Sequence, residues 1–398
     1  MKEKFLRELA DIQTGPFGSQ LHKEDYVADG TPIVTVEHLG NKMFSEQNLP
    51  RVSNTDKNRL KKYVLKQGDI VFSRVGSVDR CSYVDQKHDG WMFSGRCLRV
   101  RPTSEIDSEY LYYYFCLEET KQFVRNISVG ATMPSINTKL LGEVVVTFPE
   151  LEQQKRISGI LSAIDSKIEV NQKINDNLEQ QAVALFKSWF VDFSLFGGTV
   201  PENWEDTTLE NITTLITRGI APKYSDNSDQ TVVNQKCIRN HTIDLSLART
   251  HTPKAINEKW LKFGDLLINS TGDGTLGRVA QVWFVPKALT VDSHVTIVRP
   301  AREELIFYIG LWGILHEKEI ESLHTGSTGQ TELPRDRVKM LKLLLPDDSS
   351  LSRFNSIIAP MTSTIISNQE ENQKLANLRD TLPPKLMSGV IDVANVQL

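Results

Sequence analysis

The chain has 398 residues, of which 39% are hydrophobic and 24% charged, and its formal net charge is −4. This length predicts two or more domains, and the composition is that of an ordinary globular protein. The small net charge excludes binding to nucleic acid through overall basicity, so such binding would need a local basic patch.

The composition also argues against several classes of site. The four cysteines form no Cys-x-x-Cys pair and the eight histidines no His-x-x-x-His spacing, so we expect buried thiols and no metal. The beginning "MKEKFLRELADIQ" lacks an apolar signal core, and no run approaches about 18 apolar residues. We therefore expect a cytoplasmic protein with no membrane partner.

The first part of the chain mixes strand and helix signals. The segments "TPIVTVEHL", "GDIVFSRV" and "EVVVTF" are rich in β-branched and aromatic residues and predict strands. The segment "SEYLYYYFCLEETKQFVRN" predicts a helix whose aromatic residues pack in a core rather than stack on bases. Residues 51–101 hold 12 Lys and Arg against 5 Asp and Glu. This excess favours an anionic partner, with a solvated basic face as the alternative.

The central segment predicts one long helix. From Ile157 to Trp189, apolar residues recur at alternating steps of four and three, which is a coiled-coil pattern. Two polar residues, Asn171 and Asn175, interrupt this seam. The aromatic end of the segment, around Trp189 and Phe190, is either a docking patch for a partner or a core against the next domain.

The second half repeats the first. "GDLLINSTGD" begins 196 positions after "GDIVFSRVGS", and "GSTGQTELPRDRVKMLKLLLP" follows "GATMPSINTKLLGEVVVTFP" at the same offset. A second seam runs from Phe354 to Leu386, with Asn368 and Asn372 at the same two steps. A two-fold axis between the halves predicts antiparallel helices in which Asn171 faces Asn372 and Asn175 faces Asn368. We expect "TLPPKL" to end the second helix.

Two similar modules held apart by helices suit a DNA duplex whose half-sites lie about one helical turn, ~34 Å, apart. The loops of the two modules differ, so each would read its own half-site. The candidate DNA-contacting residues of the first module are Gln20, Lys23, Arg74, Ser77, Arg80, Arg96, Thr132, Asn137 and Lys139. Those of the second module are Arg218, Lys223, Asn269, Ser270, Asp273, Arg278, Thr328 and Gln330.

Motifs for catalysis are missing from the sequence. "GDGTLG" fits a dinucleotide-binding pattern, but the strand-like "RVAQVWFV" follows it where a helix is required, which predicts a hairpin turn. There is no Walker-A lysine motif and no Asn- or Asp-Pro-Pro-aromatic segment for methylation of a flipped adenine. We therefore expect no catalytic residue and no enzyme activity in this chain.

These repeats and the segment "LEQQKRISGILSAIDSKIEVNQKINDNLEQQAVALFKSWFVDF" resemble the specificity subunit of type I restriction-modification systems over essentially the whole chain. The resemblance implies an α+β fold with two tandem α/β target recognition domains, related by a pseudo-two-fold axis and separated by two long antiparallel coiled-coil helices. It places recognition domains at residues 1–150 and 193–347. The conserved helices, which set the spacing and dock partners, would lie at residues 151–192 and 348–398.

The resemblance also implies partners. Two adenine-N6 methyltransferase subunits would dock on the helical segments, and translocating restriction subunits would join outside them where the system has a nuclease. S-adenosylmethionine, ATP and Mg would be bound by those subunits, and no cofactor by this chain. One departure is the loop "GSTGQTELPRD", which is one residue longer and more polar than "GATMPSINTK". The alternatives are a coiled-coil adaptor without DNA readout and a DNA-modifying enzyme with a duplicated recognition domain.

Overall fold

A computed structural model describes residues 1–272, 274–326 and 331–393, without the side chains of Ser19 and Lys23. The chain divides into two compact units, Met1–Val170 with Glu371–Leu398 and Asn171–Glu370. We call them unit 1 and unit 2. Each unit contains one globular part and one half of each of two long helices.

The globular part of unit 1 is built from short strands and short helices. The strands are β1 Lys2–Phe5, β2 Ala10–Thr14, β3 Tyr26–Val27, β4 Thr31–Val34, β5 Arg51–Val52, β6 Ile70–Ser73, β7 Cys81–Tyr83, β8 Met92–Phe93, β9 Cys97–Pro102 and β10 Val145–Phe148. The helices are α1 Leu6–Leu9, α2 Asn54–Arg59, α3 Ser108–Cys116, α4 Glu118–Asn126 and α5 Thr138–Leu141, and the long helix α6 Leu151–Phe190 follows.

The central sheet of unit 1 is antiparallel, with strand order β2-β9-β6-β7. A second sheet has the order β3-β5-β4-β8, with β4 and β8 parallel, and β1 pairs with β10. Strand β6 is buried on both faces because its side chains alternate between two cores. Ile70 and Phe72 join the core that contains α3, whereas Val71 joins the core under the second sheet.

Unit 2 repeats this plan. Its strands are β11 Glu205–Thr208, β12 Thr213–Arg218, β13 Thr231–Val233, β14 Ile238–Arg239, β15 Thr242–Ile243, β16 Arg249–Thr250, β17 Leu266–Asn269, β18 Val279–Gln281, β19 Leu289–Val291, β20 Val295–Pro300 and β21 Lys342–Leu345. Its helices are α7 Ile306–Leu315, α8 Glu317–Ser322 and α9 Arg335–Lys339, and α10 Asp348–Met387 is the second long helix.

The sheets of the two units match strand for strand. The order β12-β20-β17-β18 repeats β2-β9-β6-β7, β13 pairs in parallel with β19, and β11 pairs with β21. The registers match as well, because Leu266 lies opposite Val298 where Ile70 lies opposite Val100. The internal repeat and the mixed α+β fold predicted from the sequence are confirmed.

The repeated Gly-Asp dipeptide has a structural cause in both units. The Asp69 carboxylate accepts the Lys66 backbone N–H at 2.8 Å, which closes the turn before β6. The same carboxylate accepts two hydrogen bonds from Arg101, at 2.7 and 2.6 Å. In unit 2, Asp265 repeats both roles, and it binds Arg299 at 2.8 and 2.7 Å. Such paired hydrogen bonds hold a planar guanidinium in one geometry.

The halves of the long helices pair in an antiparallel manner within each unit. In unit 1, Ile157 and Leu161 near the beginning of α6 share a core with Leu386 and Met387 at the end of α10. In unit 2, residues near the end of α6, such as Phe186, share a core with residues near the beginning of α10. The predicted seam positions provide most of these contacts.

One of the two predicted asparagine pairs is confirmed. Asn368 Nδ2 donates a hydrogen bond to Asn175 Oδ1 at 2.8 Å, and Asn175 is only 8% exposed. Asn171 is fully buried, and its pairing with Asn372 stays a prediction.

The aromatic end of α6 is a domain core. Trp189 and Phe190 are nearly fully buried, and their ring centroids lie 5.6 and 4.8 Å from that of Phe354. This result favours the core interpretation over a docking patch. The aromatic run of α3 is also core, as predicted, with Tyr110, Leu111, Tyr112, Tyr113 and Phe115 buried.

The expectation that "TLPPKL" ends the second helix is wrong. Helix α10 continues through both prolines to Met387. Leu386 and Met387 are 3% and 4% exposed, so the last turn is held by the core of unit 1. Tertiary packing here outweighs the cost of proline in a helix.

A single and a double substitution test the hydrogen bond between Asn175 and Asn368. Asn368→Ala leaves the buried Asn175 amide without its donor and should lower the stability of unit 2 by about 1–3 kcal/mol. Replacing both residues by Leu should restore most of this loss. Urea unfolding followed by hydrogen exchange at the helices of unit 2 measures both, with the exposed Ser363→Ala as control. Equal losses for Asn368→Ala and Ser363→Ala would contradict the pairing.

The Asp–Arg pairs should differ in their contribution to stability. Asp265→Asn removes the charge facing Arg299, whose side chain is 11% exposed, and should cost about 3–5 kcal/mol. Asp69→Asn should cost less because Arg101 is 30% exposed and stays better hydrated. Hydrogen exchange in each unit measures the two effects, with Asp336→Asn at an 85% exposed side chain as control. A larger loss for Asp69→Asn would refute this explanation.

Candidate nucleic-acid interface

Four loops of unit 1 meet at one end of the central sheet. Residues 15–20 follow β2, residues 74–80 join β6 to β7, residues 94–96 precede β9, and residues 128–137 precede α5. Backbone hydrogen bonds join the last three: Arg74 N–H donates to Arg96 O at 2.8 Å, Gly76 N–H to Pro134 O at 2.8 Å, and Ile136 N–H to Arg74 O at 2.9 Å. We call this assembly loop surface 1.

Loop surface 1 combines cations with exposed apolar side chains. The Arg74 guanidinium donates to Gly95 O at 3.1 Å and lies 5.7 Å from the Phe17 ring centroid. Arg96 is exposed and makes no ion pair or side-chain hydrogen bond with the described residues. Phe17 and Met133 are 61% and 66% exposed. Such a surface can contact phosphates through its arginines and base edges or thymine methyl groups through its apolar groups.

Gly95 shows why two of these loops can approach so closely. A Cβ atom at Gly95 would lie 2.5 Å from Pro16 O and 2.7 Å from the Phe17 Cβ. Any other residue would push residues 15–20 away from the loop that carries Arg96. The glycine therefore helps to place Phe17 beside Arg74.

Three other candidates of the first module already have partners within the protein. Arg80 donates to the Leu39 carbonyl, so its guanidinium packs on a neighbouring loop. Asn137 Oδ1 accepts from the Leu140 backbone N–H at 2.9 Å and caps α5. Gln20 Oε1 accepts from the Tyr63 hydroxyl at 2.6 Å. The remaining candidates with described side chains are exposed: Ser77, Thr132 and Lys139. The side chain of Lys23 lies outside the described part.

The predicted basic patch of residues 51–101 is only partly a free surface. Four of its cations pair with carboxylates: Arg59 with Asp56, Lys87 with Glu46, Arg99 with Asp11, and Arg101 with Asp69. The Asp69 carboxylate, which accepts hydrogen bonds from Arg101, raises the pKa of this arginine. Arg74 and Arg96 have no such carboxylate within the described residues, so loop surface 1 carries positive charge that is not neutralised. Other cations of the segment, such as Lys57, Lys61 and Lys62, also have no ion pair there.

Unit 2 builds the same arrangement, which we call loop surface 2, from the described residues 219–224, 270–272, 274–278, 292–294, 325–326 and 331–337. Ser270 N–H donates to His294 O at 2.8 Å, and Leu333 N–H donates to Ser270 O at 2.8 Å. These bonds repeat those of Arg74 with Arg96 and Ile136, so Ser270 is the counterpart of Arg74. The "GDGTLG" segment joins the antiparallel strands β17 and β18, as the predicted hairpin turn requires.

Two residues of the second module that were predicted to contact DNA are instead buried, which corrects the prediction. Asn269 and Ser270 are both 0% exposed. Asn269 Nδ2 donates to the Gln235 carbonyl at 3.1 Å, and the Ser270 hydroxyl lies 2.6 Å from that of Thr296. Asn269 is the last residue of β17, and Ser270 follows it directly. Both side chains are covered by neighbouring residues, so neither reaches the surface.

The other candidates of the second module differ in availability. Arg218 donates to Leu333 O at 2.8 Å and forms an ion pair with Glu332, so its charge is neutralised. Arg278 donates to Gly274 O at 2.7 Å. Lys223 is exposed and has no ion pair with the described residues. Asp273, Thr328 and Gln330 lie outside the described residues.

Sequence reasoning missed several exposed groups near the loops. The Arg249 guanidinium lies 3.7 Å from the ring centroid of Tyr224, which is 40% exposed. Thr271 Oγ1 lies 2.7 Å from Nδ1 of the exposed His294. In unit 1, Phe17 and Met133 were missed too. A large apolar or aromatic residue within a Gly- and Pro-rich loop was the available signal for Phe17.

Neither a cluster of metal ligands nor a membrane-spanning helix is found in the part of the chain that the structure describes. Across residues 1–272, 274–326 and 331–393, no group of three or more His, Cys, Asp or Glu side chains could hold a metal ion. In the same ranges, no helix is long and apolar enough to span a bilayer.

Comparisons with known proteins agree with the resemblance. Residues 1–180 match the family model described as type I restriction modification DNA specificity domain. The chain is 28% identical over 320 residues to the type I restriction enzyme MjaIX specificity subunit of Methanocaldococcus jannaschii, covering 74% of this chain and 71% of that protein. It is 22% identical over 411 residues to the HindI specificity subunit of Haemophilus influenzae, covering 83% and 88%.

A solved structure supports the fold. The crystal structure of a type I restriction-modification S subunit from M. genitalium aligns with a TM-score of 0.60 at 16% identity, covering 97% of this chain and 96% of that one. The similarity to type I specificity subunits expected from the sequence is therefore confirmed.

Proposed function

We propose that this chain is the non-catalytic DNA-specificity subunit of a type I restriction-modification complex that reads a bipartite target. Loop surface 1 reads one half-site and loop surface 2 reads the other. The observation that carries the proposal is that the same four-loop arrangement is built twice with different side chains. The half-buried Arg74 of unit 1, whose guanidinium lies beside the exposed Phe17, has its counterpart in a fully buried serine, Ser270, in unit 2. Two scaffolds with one backbone plan and different surfaces would recognise two different sequences.

The two surfaces would bind DNA by different means. Loop surface 1 offers Arg74 and Arg96 for phosphates or guanine edges, with Phe17 and Met133 for thymine methyl groups. Loop surface 2 offers Lys223, the Tyr224–Arg249 pair and His294. Most of the binding energy would come from phosphate contacts, and a few base contacts in each unit would set the sequence.

The long helices would supply the rest of the function. We assign residues 1–150 and 193–347 to the recognition domains, and residues 151–192 and 348–398 to helical segments that set the gap between half-sites. Those segments would dock two adenine methyltransferase subunits, and restriction subunits would join the complex outside them. S-adenosylmethionine, ATP and Mg would be bound by these partners. The similarity to type I restriction enzyme specificity subunits supports a role within such a complex.

Substitutions on loop surface 1 test the assignment of one half-site per unit. In the complex assembled with its methyltransferase subunits, Arg74→Ala should weaken discrimination in one half of the target by about 1–3 kcal/mol and leave the other half unchanged. Arg96→Ala, if this arginine contacts a phosphate, should reduce the slope of log K against log salt by about 0.9. Binding to duplexes in which each half is randomised in turn measures both.

The matched control is Lys87→Ala, because this lysine is exposed and basic but pairs with Glu46 away from the loops. It should change neither half-site. Loss of discrimination in both halves after Arg74→Ala would argue against two independent readers. Unchanged binding after both arginine substitutions would contradict the role given to loop surface 1. Absence of salt-dependent DNA binding by the assembled complex would favour the adaptor alternative. Methylation or cleavage of DNA by the purified chain alone would favour the enzyme alternative.

A further inference from the structure

Unit 2 contains a cavity of about 360 Å³ beside its helices. Its walls are mostly apolar and aromatic, and they include Trp283, Phe307, Leu311 and Met361. The Trp283 and Phe307 rings are stacked, with centroids 5.4 Å apart and planes 20° apart. Ligand sites of small molecules begin at about 300 Å³ and have such walls with a few polar groups.

The internal repeat shows what fills the equivalent place in unit 1. The hydroxyl groups of Tyr110 and Tyr308 each donate to a carbonyl of the neighbouring strand, β10 or β21, so the two tyrosines are counterparts. Three residues later, unit 1 has Tyr113 where unit 2 has Leu311. Unit 2 therefore has no phenol ring at the position of Tyr113, and part of the cavity lies at that position.

In unit 1 the equivalent place is filled by a phenol and an ammonium group. Tyr113 donates to Asp165 at 2.6 Å. Lys42 Nζ lies 3.0 Å from the Tyr113 hydroxyl, 2.9 Å from Ser162 Oγ and 2.8 Å from Glu109 Oε1. Burial, together with the charge of Asp165, raises the pKa of Tyr113, so the phenol stays neutral and donates a hydrogen bond.

Unit 2 lacks both of these groups. The loops "HLGNKMF" and "CIRNHTI" place His241 where unit 1 has Lys42, and the 197-residue helix offset places Thr362 where unit 1 has Asp165. His241 lies 3.6 Å from Glu317, so the charge of its protonated ring is matched there. The adjacent Glu317 carboxylate raises the pKa of His241.

Two acceptors that line the cavity have no donor among the described residues. Gln281 is 6% exposed, and its side-chain amide nitrogen Nε2 donates to Gly264 O and Ile306 O. Its amide oxygen Oε1 is buried and has no hydrogen-bond partner among the described residues. Glu179 is half-buried and makes no hydrogen bond or ion pair with the described residues. Burial raises the pKa of its carboxyl group, and the nearby charge of His241 opposes this shift. A half-buried carboxylate at the wall of an apolar cavity favours a ligand that brings a positive charge and an apolar body.

We propose that unit 2 binds a small aromatic amine in this cavity. The ring would lie against Trp283 and Phe307, and the ammonium group would pair with the Glu179 carboxylate. Such a ligand would supply from outside the phenol and the ammonium group that Tyr113 and Lys42 supply within unit 1. The proposal is independent of DNA recognition.

Tyramine, which joins a phenol to an ammonium group, is the probe, and 4-ethylphenol and propylamine are its two halves. Isothermal titration of the purified full chain should give one tyramine site. Each half should bind at least about tenfold more weakly, because both the aromatic wall and Glu179 contribute. Glu179→Gln should weaken tyramine about tenfold and leave 4-ethylphenol unchanged.

Leu311→Tyr fills the cavity with the residue found in unit 1 and should abolish binding of tyramine and 4-ethylphenol. Met361→Trp fills it from the helix and should do the same if the first variant unfolds. Ser363→Ala, on the same helix but exposed, is the control and should bind as the original chain does. Absence of saturable tyramine binding, equal affinity for tyramine and 4-ethylphenol, or unchanged tyramine binding in Glu179→Gln would each overturn the proposal.

Discussion

The register between β6 and β9 is the constraint on which loop surface 1 depends. The Asp69–Arg101 pair joins these strands at the end of the sheet opposite the loops. A slip of one residue would exchange the two faces of β6, so Ile70 and Phe72 would leave the core that contains α3 and Val71 would leave the core under the second sheet. The same register places the backbone of Arg74 against Arg96, so the two arginines stand side by side. The pair Asp265–Arg299 repeats this arrangement in unit 2, which explains why the two loop surfaces have one backbone plan.

The repeated scaffold leaves the surfaces free to differ. Positions that hold the register, such as Asp69 and Asp265, keep the same chemistry, whereas positions beyond the strands do not. Arg74 has a buried serine as its counterpart, and Lys42 has His241. The first difference changes the group offered to an external partner. The second changes a filled polar network into a cavity. A duplicated fold can thus keep its stability while its two copies take separate functions.

Much of the fold could be predicted from the sequence because the signals were periodic and repeated. The steps of four and three along α6 predicted the helix, and the shared asparagine positions predicted the Asn175–Asn368 pair. The site was harder to predict. Asn269 and Ser270 look like polar loop residues, but only the sheet register shows that they are buried. Phe17 and Met133 were missed because an exposed apolar residue resembles a core residue in a single sequence. The prolines of "TLPPKL" misled because packing of Leu386 and Met387 outweighs local propensity.

The central claim is that this chain specifies a split DNA sequence for a methyltransferase. Single-molecule sequencing of DNA tests it most directly, in cells that carry the chain with its neighbouring methyltransferase gene and in cells that lack only the chain. The account predicts N6-methyladenine on both strands of one bipartite motif, present only with the chain. Identical methylation in the two strains would contradict it, because the chain would then specify nothing for that enzyme.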